Sequence, residues 1–323
     1  MKKFNNFWPV YKNLEEETLQ LTKYIQFSDD QINVYSMHIA DLIMRIAVEI
    51  EALSKELYKN NGGPDVFDDN GQRRNLFFDT DCINYLNNMW KICNREIMVS
   101  CSNFYFVKDE YRIIKPLKRA NNNGDSSVRW NRAYQAVKHD RRNNLAKGNI
   151  GNLIQALGAL YILNIYYRDD IFEYGTLLAP NKFFDNRLGS DIFSASFADA
   201  SKASIGIDAT DASIPSEERE KLDSALCIIR YTDESWKNMH DAYSEYNNSL
   251  LAGLVKTPKF IQQLNERIVN HPAADVSEIV HKLIIEMQKD YVKENPPMHF
   301  GKIMLKSDIE VVLNKGQQIY TNI

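Results

Sequence analysis

Apolar residues recur at steps of three and four from Ile32 through Tyr35, Ile39, Leu42, Ile46, Ile50 and Leu53 to Leu57. Positions so spaced share one face of a helix. Ser28-Asp29-Asp30-Gln31 ahead of the stripe has the form of a capping box, and Gly62-Gly63-Pro64 stops it, so a long helix is predicted over about residues 28–59. Asp69-Asn70-Gly71 is a hairpin-type turn signal between Val66-Phe67 and Leu76-Phe77-Phe78. Residues 81–98 read as a helix. Phe104-Tyr105-Phe106-Val107 and Tyr111-Arg112-Ile113-Ile114 read as a small hairpin. After a loop at Asn121-Asn122-Asn123-Gly124, a second strong helix is predicted from a cap at Asp125, Ser126 or Ser127 to about residue 147. Beyond Gly148-Asn149 a third carries Ile150, Leu153, Ile154, Leu157, Leu160 and Tyr161 on one face. Gly151, Ala156, Gly158 and Ala159 are small enough to admit a neighbouring helix.

The stretch 189–213, rich in Ser, Ala, Asp and Gly, reads as a surface loop or domain junction. Residues 226–232 are strand-like, and helices are predicted over 233–254, 258–270 and 276–292. Ser307-Asp308-Ile309-Glu310 has the form of a cap for a short terminal helix. There is no internal repeat. The expected fold class is therefore mainly α: a helical bundle over residues 1–188 with small β-hairpin insertions, and a mostly helical region of unknown role over 189–323.

Composition narrows the class. At 323 residues the chain is about twice the usual single-domain size, and its 44% hydrophobic and 25% charged content is that of a globular protein. No run of about 18 apolar residues occurs, so no membrane span is expected. Met1-Lys2-Lys3-Phe4-Asn5-Asn6 has no apolar core of a secretory signal. Cys82, Cys93, Cys101 and Cys227 form no C-x-x-C pair, which points to reduced thiols and a cytoplasmic location.

Charge changes the picture more. Ten basic residues lie between Tyr111 and Lys147, opposed only by Asp125 and Asp140, leaving +8 there and −12 on the rest of a chain whose net charge is −4. A basic island on an acidic protein marks a local site for a polyanion, or a solvated helix face that is rich in arginine. Within it, Arg132 and His139 are two helical turns apart and differ by about 20° around the axis. Gln135, Arg142 and Asn143 fall on the same side, with Trp130, Tyr134 and Val137 opposite as the core face. Arginine binds phosphate oxygens bidentately, and histidine titrates near neutral pH, where it can move a proton.

With these residues the chain resembles the HEPN superfamily of small helical domains, many of them ribonucleases of bacterial defence and toxin–antitoxin systems. The family signature is an arginine, four to six residues and a histidine near a junction of bundle helices. Arg132, six residues, then His139 matches it, inside a region of about residues 25–170. Ala133 departs from the pattern, since a polar residue often follows the arginine. The resemblance implies metal-independent cleavage of RNA. A ribose 2′-hydroxyl attacks the adjacent phosphorus, His139 serves as general base or acid, and Arg132 stabilises charge on the phosphorane. It also implies a homodimer with two arginine–histidine sets lining one cleft, and a role in stress or phage defence with an antitoxin or regulatory protein as partner. Accessory positions are Glu49, Gln135 and Arg142, and RNA-binding positions are Arg129, Lys138, Arg141, Lys118 and Arg119.

Other readings stay open. His139 beside Lys138 and Asp140 also suits a surface or helix-packing histidine. The chain would then be a non-catalytic helical interaction protein whose basic island binds RNA, another anionic ligand or a protein partner. His38, Arg45, Glu49 and Glu56 form a second polar ridge, in which Arg45 and Glu49 read as an i,i+4 ion pair or Glu49 as a group orienting Arg132 or His139. No cofactor and no metal is expected. His240, His271, His281 and His299 have no ligand spacing, there is neither HExxH, P-loop nor G-x-G-x-x-G, and the acidic run before Gly71 fails as a calcium loop. Gly189-Ser190 lacks the second glycine of a nucleophile elbow. Trp236, Met239, Tyr243, Tyr246 and Leu250 at helical spacing read as core.

Overall fold

The computed structural model describes residues 5–118, 129–176, 184–200, 216–272, 275–296, 302–303 and 305–316. Arg119, the loop at 121–124, the cap candidates at 125–127 and residues 201–213 of the expected junction lie outside them. The protein is mainly helical with small sheets. It divides into two units, one of residues 1–172, 184–230 and 311–320, the other of 173–183, 231–310 and 321–323.

The first unit is assembled around one apolar helix. Its elements are α1 (Phe7–Leu21), β1 (Phe27–Ser28), α2 (Met37–Asn60), α3 (Ile83–Trp90), β2 (Ile97–Val99), β3 (Phe104–Tyr105), α4 (Asp109–Arg112), β4 (Ile113–Ile114), α5 (Arg129–His139), α6 (Arg141–Asn144) and α7 (Ile150–Arg168). α7 is apolar on all sides, which is the pattern of a helix with neighbours all round. α1, α2 and α5 pack against it. Its length and composition would suit a membrane crossing, but 83% of the relevant window is buried inside the protein. At Gly158 the approach is close: a Cβ there would come within 3.0 Å of Ile97 Cδ1.

The remaining strands are β5 (Phe172–Thr176), β6 (Phe193–Ala195), β7 (Phe197–Asp199), β8 (Cys227–Tyr231) and β9 (Asp308–Leu313), with helix α8 (Ser216–Ser224) before β8. β1 pairs parallel with β3, a second sheet has the order β4-β2-β6, and a third has the order β5-β9-β8-β7. The second unit holds α9 (Asp233–Leu254), α10 (Pro258–Asn270) and α11 (Val276–Glu294). Leu254, Phe260 and Leu283 form its core. Thr232, Thr257 and Asp275 cap these three helices through their side-chain oxygens.

Several local expectations are corrected. α2 starts at Met37, capped by Ser36, whose Oγ accepts from Ile39 N at 3.1 Å. The expected capping box is instead a strand and a single turn, and the Asp29 carboxylate accepts from Val107 and Lys108 N–H. Tyr35 therefore leaves the apolar stripe and is 52% exposed. The helix expected over 81–98 ends at Trp90, where Lys91 takes φ 52°, and 97–99 is strand β2. The expected hairpin does not form, because β3 pairs with β1 and β4 with β2. Asp69-Asn70-Gly71 does turn the chain, but it brings Phe67 opposite Arg73, not 76–78. Of the terminal residues expected to cap a helix, Asp308, Ile309 and Glu310 begin strand β9 instead.

Residues 78–82 form a wide helical turn that seats α5, because Phe78 stacks on Trp130 and Asp79 accepts from Asn131. Asp81 fixes this turn by accepting both Arg74 Nη1 and Nη2, at 2.7 and 2.9 Å, and Phe77 N–H at 2.8 Å. The Arg74 guanidinium holds the Asp81 carboxyl below its usual range. A carboxyl whose folded pKa is depressed stabilises the fold above its unfolded value, about 4, and loses that contribution as pH falls through the folded value. Acid titration followed by circular dichroism should show this loss in the wild type and a shallower one in Asp81→Asn. Identical acid profiles would contradict it.

Candidate nucleic-acid interface

α5 has Trp130, Asn131, Ala133, Tyr134 and Val137 buried against α2 and α7. Trp130 is 1% exposed and its indole N–H donates to Pro116 O at 3.0 Å. That bond, with the Phe78 stack and the Asn131–Asp79 contact, fixes the rotation of α5 about its axis. Arg129, Arg132, Lys138 and His139 consequently face solvent, and Gln135 is half-buried between them and the core. The Lys138 ammonium lies over the Tyr134 ring, 5.4 Å from its centroid.

The helix does not continue to residue 147. Asp140 leaves helical geometry with φ −148° and ψ 72°, and its carboxylate accepts from Asn143 N at 3.3 Å and Asn143 Nδ2 at 2.8 Å, so it caps α6. Arg142 and Asn143 therefore do not extend the Arg132–His139 stripe, as one unbroken helix would require. Arg141 and Arg142 stand exposed on a separate turn, and a further turn, Leu145–Lys147, ends at Gly148. A Cβ at 148 would come within 2.6 Å of Ala40 Cβ, so only glycine lets this end of the chain lie on the first turns of α2. Asn149 caps α7 and is bridged in antiparallel fashion to Tyr35. Ile150 N and Gly151 N donate to Val34 O and Ile32 O.

The island is smaller than its sequence extent. Arg112 and Lys115 have carboxylate partners, Asp109 at 3.9 Å and Glu96 at 3.6 Å. Lys118 is exposed. By contrast Arg129, Arg132, Lys138, Arg141, Arg142 and Lys147 are all exposed, and among the described residues none is in an ion pair. Asp140, the carboxylate in their midst, is engaged by Asn143. Cations left without carboxylates in a small area are positioned to hold an anion in their place.

The second polar ridge resolves differently. Arg45 forks onto Glu17 of α1 at 2.6 and 2.8 Å, so the expected Arg45–Glu49 pair is not made. Glu49 is half-buried on α2 and His38 is exposed. Among the described residues no three His, Cys, Asp or Glu side chains gather as a metal set. Cys82, Cys93 and Cys227 are buried and in no disulfide, and burial pushes Cys82 and Cys227 up to about 12, which removes these two as nucleophiles at neutral pH. An open cleft of about 470 Å³ lies at the far ends of α2 and α7, lined by Asn60, Asn61, Trp90, Tyr166, Asp169 and Lys315 among others. Its charges are paired, Lys315 with Asp169 and Arg168 with Asp170, and none of its lining residues belongs to the island.

Two buried polar clusters escaped the sequence reading. Glu15, 1% exposed, accepts from Tyr11 OH, Ser190 Oγ, Lys12 Nζ and the Asp191 and Ile192 amides. Arg95, fully buried, is held by neutral oxygens alone. Both secure the frame and neither reaches the island. No protein-family model matches the chain, and neither a curated protein nor a solved structure matches it.

Proposed function

We propose that the chain is a HEPN-type, metal-independent endoribonuclease with Arg132 and His139 as its catalytic pair. The observation that carries this reading is the uncompensated cationic surface of α5 and α6, into which one stripe of α5 presents an arginine and a histidine seven residues apart. A ribose 2′-hydroxyl gives up its proton and forms the new bond to phosphorus. The bond from phosphorus to the 5′-oxygen breaks, and that oxygen takes up a proton. His139 serves one of these proton transfers, and Arg132 offsets the charge of the phosphorane. Products carry a 2′,3′-cyclic phosphate and a 5′-hydroxyl. Two copies of the domain pair their arginine–histidine sets in one cleft, and an antitoxin or regulatory protein restrains the activity in stress or phage defence. Arg129, Lys138, Arg141, Lys118 and Arg119 hold the RNA backbone.

A second reading has an observation of its own. Among the described residues nothing hydrogen-bonds the His139 imidazole, whereas a catalytic histidine is ordinarily oriented by a partner. The island would then bind RNA, another anion or a protein without cleaving. Incubation of purified protein with mixed RNA in excess EDTA separates the two: cleavage with cyclic phosphate ends supports the enzyme, and intact RNA supports the binder.

If the island binds RNA, with or without cleavage, affinity should fall steeply with salt, whereas a protein partner need not give this dependence. Each phosphate contact on a single strand contributes about −0.7 to the slope of log K against log salt. The combined substitution Arg141→Ala and Arg142→Ala should flatten the slope by roughly 1.4. Binding that is insensitive to ionic strength would refute the assignment of the island to RNA.

A further inference from the structure

Tyr35 stands where the cationic turn meets the start of α2, and nothing in the sequence pattern set it apart. Its backbone is pinned by the bridge to Asn149, two residues beyond Lys147, with Val34 O and Ile32 O engaged by the first turn of α7. The contact of Gly148 with Ala40 and the packing of the turn at 145–147 against both α2 and the end of α5 bring the cations to the same end of the bundle. The ring itself is 52% exposed, and among the described residues it stacks on no other ring and is in no hydrogen bond. Met37, two residues on, is a second exposed apolar side chain, at 55%. A half-exposed aromatic ring, its backbone bridged two residues beyond Lys147 at the end of the bundle that carries exposed, unpaired cations, is an arrangement suited to binding a nucleic-acid base and its phosphates together.

We propose that Tyr35 is a base-stacking residue and that this surface takes single-stranded RNA, an inference that rests on the RNA reading of the island. Arg141, Arg142 and Lys147 hold phosphates while the ring covers the face of an unpaired base. In an A-form duplex the base faces are stacked on one another, so the ring finds no partner there and the cations alone remain. Tyr35 thus selects unpaired segments, which are also the segments whose 2′-hydroxyls have the freedom to line up with the scissile bond.

The test is fluorescence anisotropy with an end-labelled oligouridylate and with a blunt-ended, mixed-sequence RNA duplex that has no loop, in the His139→Ala background so that the RNA stays intact. Stacking is worth about 1–3 kcal/mol per base, so Tyr35→Ala should weaken oligouridylate binding about five- to 150-fold. Duplex binding should stay within about twofold. Tyr35→Phe should retain single-strand affinity, because it keeps the ring. Arg141→Ala with Arg142→Ala should weaken both ligands. If Tyr35→Ala binds oligouridylate as tightly as its parent, or loses both ligands equally, the stacking role is overturned while the RNA reading stands. If the parent binds neither ligand, the RNA reading is overturned and Tyr35 falls with it.

Discussion

His139→Ala is expected to lower the rate of RNA cleavage about 10²–10⁴-fold, the usual loss on removing a general acid or base. The residue lies at the exposed end of α5, on the side away from Trp130 and Val137. The substitution removes neither a core contact nor a hydrogen bond of the fold, so thermal unfolding should be unchanged. RNA affinity should persist, because the neighbouring cations are untouched. Arg132→Ala should abolish cleavage as well, with some loss of binding and a shallower salt slope, since it removes a cation from the phosphate surface. Single-turnover cleavage in EDTA, read by the cyclic phosphate end, checks both. If His139→Ala cleaves at the wild-type rate, His139 is not catalytic. If wild-type activity disappears with EDTA, an enzyme remains but the proposed mechanism is wrong.

The parts of this fold that were legible in the sequence are those governed by local chemistry. α9, α10 and α11 start at Thr232, Thr257-Pro258 and Asp275, where a side-chain oxygen three or fewer residues away satisfies the first amides. α7 announced itself by apolar length and by the Gly148-Asn149 break. The illegible parts are those whose partners are distant. Ile97-Met98-Val99 has the same apolar character in a helix as in a strand, and what makes it a strand is pairing with 193–195, about a hundred residues on. Ser28-Asp29 has cap chemistry, but Asp29 spends it on the amides of Val107 and Lys108. On the site, the buried face of α5 was legible because Trp130, Tyr134 and Val137 keep helical spacing. The break at Asp140 was not, because no glycine or proline marks it and aspartate caps a helix only where the chain has already turned. Tyr35 was drawn into the stripe of α2 for want of the Ser36 cap, which alone separates the two roles.

Arg95→Ala should be the most damaging single substitution in the first unit. The guanidinium is fully buried and, among the described residues, pairs with no carboxylate: Nε donates to Tyr166 OH at 3.0 Å, Nη1 to Asp223 O at 2.6 Å, and Nη2 to Trp90 O and to Asn314 Oδ1 at 3.0 Å. One planar fork thus ties the end of α3, the end of α8, α7 and the residue after β9, using donors that diverge in fixed directions. Truncation takes the guanidinium donor from the Tyr166, Asp223 and Trp90 oxygens, leaves Asn314 Oδ1 with only Gly316 N–H at 3.1 Å, and opens a cavity among them. Each orphaned polar group costs about 1–3 kcal/mol and a large-to-small change in a core about 2–5, so a total of roughly 3–5 is expected, since such contributions do not add in full. Against a typical stability of about 5–15 kcal/mol, that is a large share. Urea unfolding followed by circular dichroism should show the midpoint falling accordingly. Arg95→Met restores most of the volume but none of the donors, so it separates the two contributions and should remain well below wild type. Arg95→Lys places three donors on one point instead of a fork and should recover only part of the loss. If Arg95→Met unfolds at the wild-type midpoint, the hydrogen bonds contribute nothing net and the packing of the side chain alone accounts for its burial.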